Sequence, residues 1–332
     1  MTTSEYIDQK LTEPSTASQW GHSFIEAFNK NKRAFYLQYV LGLESTKPRS
    51  KALRGTALHA AVESLYVARG DTMDPSAQMK HVVTTLLAEW LKDIDSEERA
   101  TLIEAAQTMA LDWCTEVWLK DQDVYDTIES ERLLAVKLPN GFPFTCRLDR
   151  TVRVRQTGKK RIRELKTTGW RLDEYIRRVT DGDQVTAYLW AESTFAPDDP
   201  PEGAEAEVTY VYRNSHKAVK SELITRSKFE LDDYADKLVG LYADLAGRLR
   251  LWPQVDPVHI SLVWPGMYDE TSVFEDEFVS LRRLHPKDLE DRSITSMYGF
   301  RINEQRRENT KAFLTEWQKY DDGILGYMAA QK

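Results

Sequence analysis

Two cysteines, Cys114 and Cys146, are all that the 332 residues contain. One disulfide is the arithmetic maximum, and a reducing compartment is the simpler setting. Two thiols cannot supply a four-cysteine zinc site or iron–sulfur cluster within one chain. No apolar run approaches the roughly 18 residues that would cross a bilayer. The opening Met1–Asp8 has neither a basic leader nor an apolar stretch, which predicts no secretory signal and a soluble cytoplasmic protein, of a bacterial or phage-infected cell. There is no internal repeat, low-complexity tract or Gly/Ser linker. A Gly-X-X-X-X-Gly-Lys-Ser/Thr loop is missing, so the chain holds no nucleotide-driven motor. So is a Gly-X-Ser-X-Gly elbow, which leaves a serine hydrolase unsupported. His81, His216, His259 and His285 have no Cys or His partner at zinc spacing.

What is present suits a folded globular chain: 41% hydrophobic and 30% charged residues, with 9 Trp, 15 Tyr and 11 Phe for a core. The net charge of −8 is unevenly spread. Residues 28–54 hold seven basic side chains and one acid, Glu44, and residues 147–180 hold twelve basic and four acidic ones. Two such islands on an acidic molecule would make a local positive field, as a phosphate-binding surface needs; the alternative is two solvated faces.

The periodicity changes once along the chain. Residues 1–20 are polar and are expected to be a flexible N-terminus. Helical spacing follows over about 22–42, 52–68, 75–93 and 96–120, with Ser96-Glu-Glu-Arg99 reading as an N-cap with acids in the first turn. Strands are expected at 131–138 and 142–149 around a type I′ Asn140-Gly141 turn, and at 161–166 after a turn near Thr157-Gly158. A helix over 172–193, strands at 207–213 and 220–226, and helices at 231–251 and 302–319 complete the pattern. The Arg301–Lys311 run, with its interspersed acids, reads as a solvated helix face. The order predicts a mixed α/β core with helical additions.

One group of residues carries chemistry. With Thr157-Gly158 at the turn, Asp149 lies across from Glu164-Leu165-Lys166. Glu164 and Lys166, two apart on a strand, point to one face and Leu165 to the other. Two carboxylates and an ammonium suit a hard divalent cation that takes oxygen ligands, with a lysine beside it to hold a water or a phosphate. Upstream, Gly55 permits close approach at the start of a helix on which His59 and Glu63 share a face at i, i+4, imidazole being a borderline ligand that leans toward manganese. Downstream, Gln184 and Tyr188 share a helix face in the same way.

The order Gly55-X-X-X-His59, Arg147-Leu-Asp149-Arg150, Glu164-Leu-Lys166-Thr167-Thr168, Gln184-X-X-X-Tyr188 resembles the RecB-type, CRISPR-associated exonuclease branch of the PD-(D/E)XK nuclease superfamily. So does Phe28–Leu37, which is similar to that family's opening helix; the resemblance spans about residues 18–226. It implies a restriction-endonuclease-like core over 21–228, a mixed sheet flanked by helices with a helical region at 52–120, and a mainly helical C-terminal extension at 229–332. It implies that Asp149, Glu164 and His59, with the carbonyl of Leu165, bind one or two Mg²⁺ or Mn²⁺ ions. Lys166 would orient or activate the hydrolytic water, and Gln184 and Tyr188 would support the site. Arg54, Arg147, Arg150, Thr167 and Thr168 are expected phosphate contacts, and Trp170 either stacks on an unpaired base or packs in the core. The family's cluster cysteines are missing: Asn29-Lys-Asn-Lys32 stands where one would lie, and no cysteine follows Cys146. No iron–sulfur cluster is expected, so the two arms it would join must be held by packing or paired charges.

The resulting expectation is a metal-dependent DNA exonuclease working at DNA ends in recombination, repair or phage DNA processing. Its partners would be DNA and a recombination or replication protein, with no membrane; the sequence leaves an oligomer open. The alternatives are a nicking or structure-specific endonuclease, a DNA-end-binding subunit with a vestigial site, and an RNA nuclease.

Overall fold

A computed structural model describes residues 1–12, 19–46, 50–68, 70, 72–169, 171–210, 219–265, 281 and 286–320. The elements run α1 (Thr3–Thr12), α2 (His22–Lys30), α3 (Lys32–Phe35), β1 (Leu43–Ser45), α4 (Ser50–Val67), α5 (Pro75–Trp90), α6 (Ser96–Trp113) and α7 (Leu119–Val124). Strands β2 (Tyr125–Lys137), β3 (Pro143–Val154) and β4 (Lys160–Thr168) follow, then α8 (Leu172–Thr180), α9 (Asp183–Phe195), β5 (Gly203–Tyr210) and β6 (Val219–Ile224). The chain continues through α10 (Lys228–Leu251), α11 (Ile260–Val263), α12 (Arg292–Met297), β7 (Phe300–Ile302) and α13 (Glu304–Trp317). It divides into two units: Met1–Ala17 with Arg49–Leu134 and Cys146–Leu231, and Ser18–Pro48 with Ala135–Thr145 and Asp232–Lys332.

The first unit holds β4, β5, β6 and most of β2 and β3 of a five-stranded mixed sheet, order β2-β3-β4-β5-β6. β3 and β4 pair antiparallel, β4 and β5 parallel, β5 and β6 antiparallel. The parallel pair needs a crossover, and α8 and α9 supply it. One sheet face, carrying Arg163, Leu165 and Glu207, meets the helical layer, where Trp113 Nε1 of α6 donates to Glu207 Oε2 (2.9 Å). On the other face Lys160 Nζ donates to Glu192 Oε1 of α9 (2.8 Å). The helical layer joins Ala57, Leu58 and Ala61 of α4, Met79, Val82 and Leu86 of α5, and Ala106, Met109 and Trp113 of α6 around Leu165. Tyr6 and Ile7 of α1 are buried in the same cluster, so within the stretch expected to be flexible Thr3–Thr12 forms a docked helix on the strength of two apolar residues one turn from its start.

The second unit is an aromatic core. Phe142 is surrounded by Trp317 (ring centroids 4.8 Å), Tyr242 (5.2 Å), Phe313 (5.6 Å) and Trp20 (6.0 Å). Phe24 of α2 meets Phe313 of α13 at 5.6 Å, Trp20 Nε1 donates to Asn309 O (2.8 Å), and β1 pairs antiparallel with β7. Segments early and late in the chain are thus held by rings and backbone pairing, with Cys114 and Cys146 both free and buried. Gly42, at φ +70°, allows the close approach: a Cβ there would sit 2.6 Å from Asn303 O.

Several local expectations shift for identifiable reasons. The helix expected over 22–42 breaks at Asn31, whose side chain accepts the Ala34 N–H (2.9 Å) and caps α3. The helix expected over 172–193 is two, parted at Gly182, where a Cβ would lie 2.9 Å from Arg178 O. Asp95, not Ser96, caps α6, accepting from the N–H groups of Glu97 and Glu98. The hairpin at Asn140-Gly141 is not type I′: only Gly141 has positive φ (+88°), the Gly141 N–H donates to Leu138 O, and Leu138 pairs with Phe142 around a three-residue loop. Pro139 sets the first φ of that turn. The expected turn at His216-Lys217 lies outside the described residues, as do Trp170 and His285.

Candidate active site

The ladder between β3 and β4 runs from Arg153↔Lys160 to Arg150↔Arg163. One step further, the Leu165 N–H donates to the side chain of Asp149, at Oδ2 (2.8 Å). A carboxylate therefore sits at the point where the two strands part. His59 reaches it from α4, with Nδ1 3.5 Å from Asp149 Oδ2. Gly55 explains how α4 comes so near: a Cβ there would stand 3.0 Å from Thr167 Oγ1 at the end of β4. A third group arrives from β2. Glu131 has φ +51°, left-handed backbone that costs a non-glycine residue strain energy. Around it the strand's inward phase changes, from 125 and 127 before to 134 and 136 after, as a bulge would produce. Ligand atoms of His59, Glu131 and Asp149 all lie within 4.8 Å of one another. A cavity of about 10 Å³, room for one water-sized or ion-sized particle, is lined by these three with Glu63 and Leu165.

Electrostatics mark the place as wanting a cation. Burial pushes the Glu131 carboxyl up to about 8, and Asp149 and Glu63 add to the push. Burial and the nearby Asp149 raise Glu164 to about 7, and burial raises Asp149 itself. Burial and the Lys166 ammonium lower His59 to about 4, leaving the neutral imidazole that a metal requires. Burial alone would lower Lys166, but Glu164 and Asp149 outweigh it and the ammonium is retained. Glu164 ion-pairs with Lys166 through Oε1, while its buried Oε2 has no hydrogen-bond partner. Two carboxylates, an imidazole and an orphaned carboxylate oxygen fit a hard divalent ion.

Gln184 and Tyr188 of α9 do share a face, Gln184 Nε2 donating to Tyr188 Oη (2.7 Å). Tyr188 is buried, and burial with Glu164 and Asp149 nearby holds its hydroxyl protonated. Glu164, expected as a ligand, lies outside the three-residue group and faces Lys166. Among the expected phosphate contacts, Arg54 and Thr167 are partly exposed and Thr168 is buried. Arg147 is partly exposed, 3.8 Å from Glu131. Arg150 is placed otherwise: it is 4% exposed and tied to Glu207 (2.8 Å) and Asp121 (3.1 Å), because the fold must neutralise a buried guanidinium. Within the basic island at 147–180, Lys160 on Glu192 and Arg163 on Glu207 are buried in the same way, while Arg153 on Asp199 and Arg155 on Asp126 are exposed pairs.

Glu131 is absent from the residues that the motif pattern singles out, although a signal for it exists. Counting seven residues away along each strand from the Leu138–Phe142 pair puts Glu131 opposite Asp149. The pattern also passes over α1: Tyr6 Oη donates to Glu63 Oε2 (2.7 Å) and Lys10 Nζ pairs with the same oxygen (2.7 Å), fixing the acid one helical turn beyond His59.

Residues 19–256 match the family model for the PD-(D/E)XK nuclease superfamily. No curated protein matches the sequence.

Proposed function

The chain belongs to the PD-(D/E)XK nuclease superfamily, whose members are metal-dependent nucleases, and we propose that this one is an exonuclease hydrolysing phosphodiester bonds at DNA ends. The observation that carries the reading is the convergence of His59, Glu131 and Asp149 beside the Glu164–Lys166 pair. His59, Glu131 and Asp149, with the Leu165 carbonyl and the free oxygen of Glu164 adjacent, would hold a divalent cation, Mg²⁺ or Mn²⁺. Such an ion polarises phosphoryl oxygens and makes a bound water easier to deprotonate. Lys166 presents its ammonium to the attacking water or the developing phosphoryl charge. Glu164 keeps that ammonium protonated and aimed. Tyr188, braced by Gln184, lies buried within the field of Glu164 and Asp149 and supports the site with a protonated hydroxyl. Thr167, Arg54 and Arg147 offer a hydroxyl and two guanidinium groups to backbone phosphates, which position DNA without reading its bases. The exonuclease assignment rests on the motif order shared with the RecB-type exonucleases.

The test uses end-labelled linear and closed circular DNA, single- and double-stranded, with Mg²⁺, Mn²⁺ or EDTA. Loss of linear DNA alone, dependent on metal and abolished in Lys166→Ala and Glu164→Gln, is the expected result. Cleavage of circles would replace the exonuclease by an endonuclease on the same core. Binding without cleavage in any metal would leave a DNA-holding protein.

A further inference from the structure

Beyond the metal site, the first unit contains a cavity of about 500 Å³ lined by Tyr66, Trp118, Tyr125, Asp121, Arg150 and Arg155 among others. We propose that it receives one unpaired base of a DNA strand whose scissile phosphate lies at the metal site; this rests on the nuclease reading and narrows its substrate to DNA with a single-stranded end.

Three observations support it. First, the same elements build both places. α4 supplies His59 to one and Tyr66 to the other; β2 supplies Glu131 and Tyr125; β3 supplies Asp149 and Arg150. Seven residues of α4 separate His59 from Tyr66, about 10 Å along the helix. At about 3.4 Å per stacked nucleotide, that is roughly three steps of one strand. Secondly, the lining has the chemistry of a base rather than of a phosphate. The cavity is of a size that takes small organic ligands. Tyr66 and Trp118 meet edge to face at 5.1 Å, and Trp118, only partly buried, is the ring this lining offers to a flat group. Arg150, itself in the lining, lies over Tyr66 (5.0 Å) and Arg163 over Tyr125 (4.5 Å), and their charges are already matched by Glu207 and Asp121. Asp121, Gln122 and Thr127 put acceptors and donors around the same space, suited to the edge of a base. Thirdly, Trp118 is delivered by an irregularity. The Leu119 N–H bonds to Cys114 O, so Cys114–Trp118 is a π-helical turn between α6 and α7. Such turns give up good backbone geometry and recur at functional sites.

Affinity is measured in a Glu164→Gln background with Mn²⁺, using single-stranded oligonucleotides that carry one 2-aminopurine at successive positions from the end, and blunt duplexes of the same sequence. Quenching should peak at one position, two to four nucleotides from the end. Trp118→Ala should weaken single-strand binding about tenfold, as loss of one base–aromatic stack does. Duplex binding should be unchanged and Trp118→Phe should restore most of the loss. Trp118 is only partly buried, and equal melting curves for the three proteins check folding. Unchanged single-strand affinity in Trp118→Ala, equal losses for single strand and duplex, or quenching without a preferred position would each overturn the pocket. If the wild type cleaves nothing yet binds single strands through Trp118, the nuclease reading fails and the pocket stands. If it cleaves while Trp118 is irrelevant, the reverse holds.

Discussion

Glu131 offers the sharpest quantitative test of the site, because its cost appears without any substrate. Burial, with Asp149 and Glu63 nearby, pushes its carboxyl up to about 8 from an ordinary value of 4.5. A carboxyl with a raised folded value binds more protons in the folded than in the unfolded state between those two limits. Stability is therefore fully present below about 4.5 and falls as pH rises through 8. Integrated from pH 5 to pH 8, this one group removes on the order of 3 kcal/mol. For a domain of this size that is a fall of roughly 6–12 °C in Tm. Glu164, raised to about 7, adds a loss of the same sign, whereas His59, lowered from 6.5 to about 4, opposes both below about pH 6.5, so the decline is steepest from there to pH 8. Glu131→Gln keeps the shape and deletes the charge. Thermal unfolding in EDTA at pH 5, 6, 7 and 8 should show a steep decline for the wild type, a much shallower one for the variant, and a variant more stable than the wild type at pH 8. Millimolar Mn²⁺ at pH 8 should raise the wild-type Tm by mass action and the variant's far less. A variant that is less stable than the wild type at pH 8 without metal, or that keeps the whole slope, would refute the placement of Glu131 in a charge-repelling, cation-seeking cluster.

Glu207→Gln should cost about 3–5 kcal/mol in urea unfolding, since Arg150 and Arg163 would lose the buried carboxylate they share; a cost below about 1 kcal/mol would sink this reading. Gly55→Ala, a change that ordinarily gains about 0.5–1 kcal/mol in a helix, should here gain nothing and lower cleavage roughly tenfold or more, as the new Cβ presses on Thr167 Oγ1 and moves His59; steady-state kinetics beside a melt would reveal either effect. Phe142→Ala, deleting a fully buried ring from the aromatic core of the second unit, should destabilise by about 3–5 kcal/mol, read by denaturant titration; a near-neutral outcome would mean that the ring cluster does not hold that unit together.

Site residues whose partners are near in sequence are legible from the sequence itself. Glu164 and Lys166 share a strand face because side chains alternate; Gln184 and Tyr188 share a helix face because four residues make about one turn. The glycine before His59, the lone Asp149 and the order of these motifs carry the family. What stays hidden depends on contacts between distant residues. Arg150 reads as a free cation beside a metal until β5 brings Glu207 to within 2.8 Å of it, fifty-seven positions later. Tyr6 reads as part of a polar tail until α1 docks on α4 and α5. Glu131 lies opposite Asp149 by hairpin count, yet it sits there with a left-handed backbone angle in the middle of a strand, a conformation that no residue preference announces. Periodicity is a property of a few neighbouring residues, so sequence alone located the five strands of the sheet, the longer helices and the motif carriers, but not the strand order. Burial, charge pairing and strain are settled by which segments meet, and these decided which carriers are free to act and which are consumed in holding the fold.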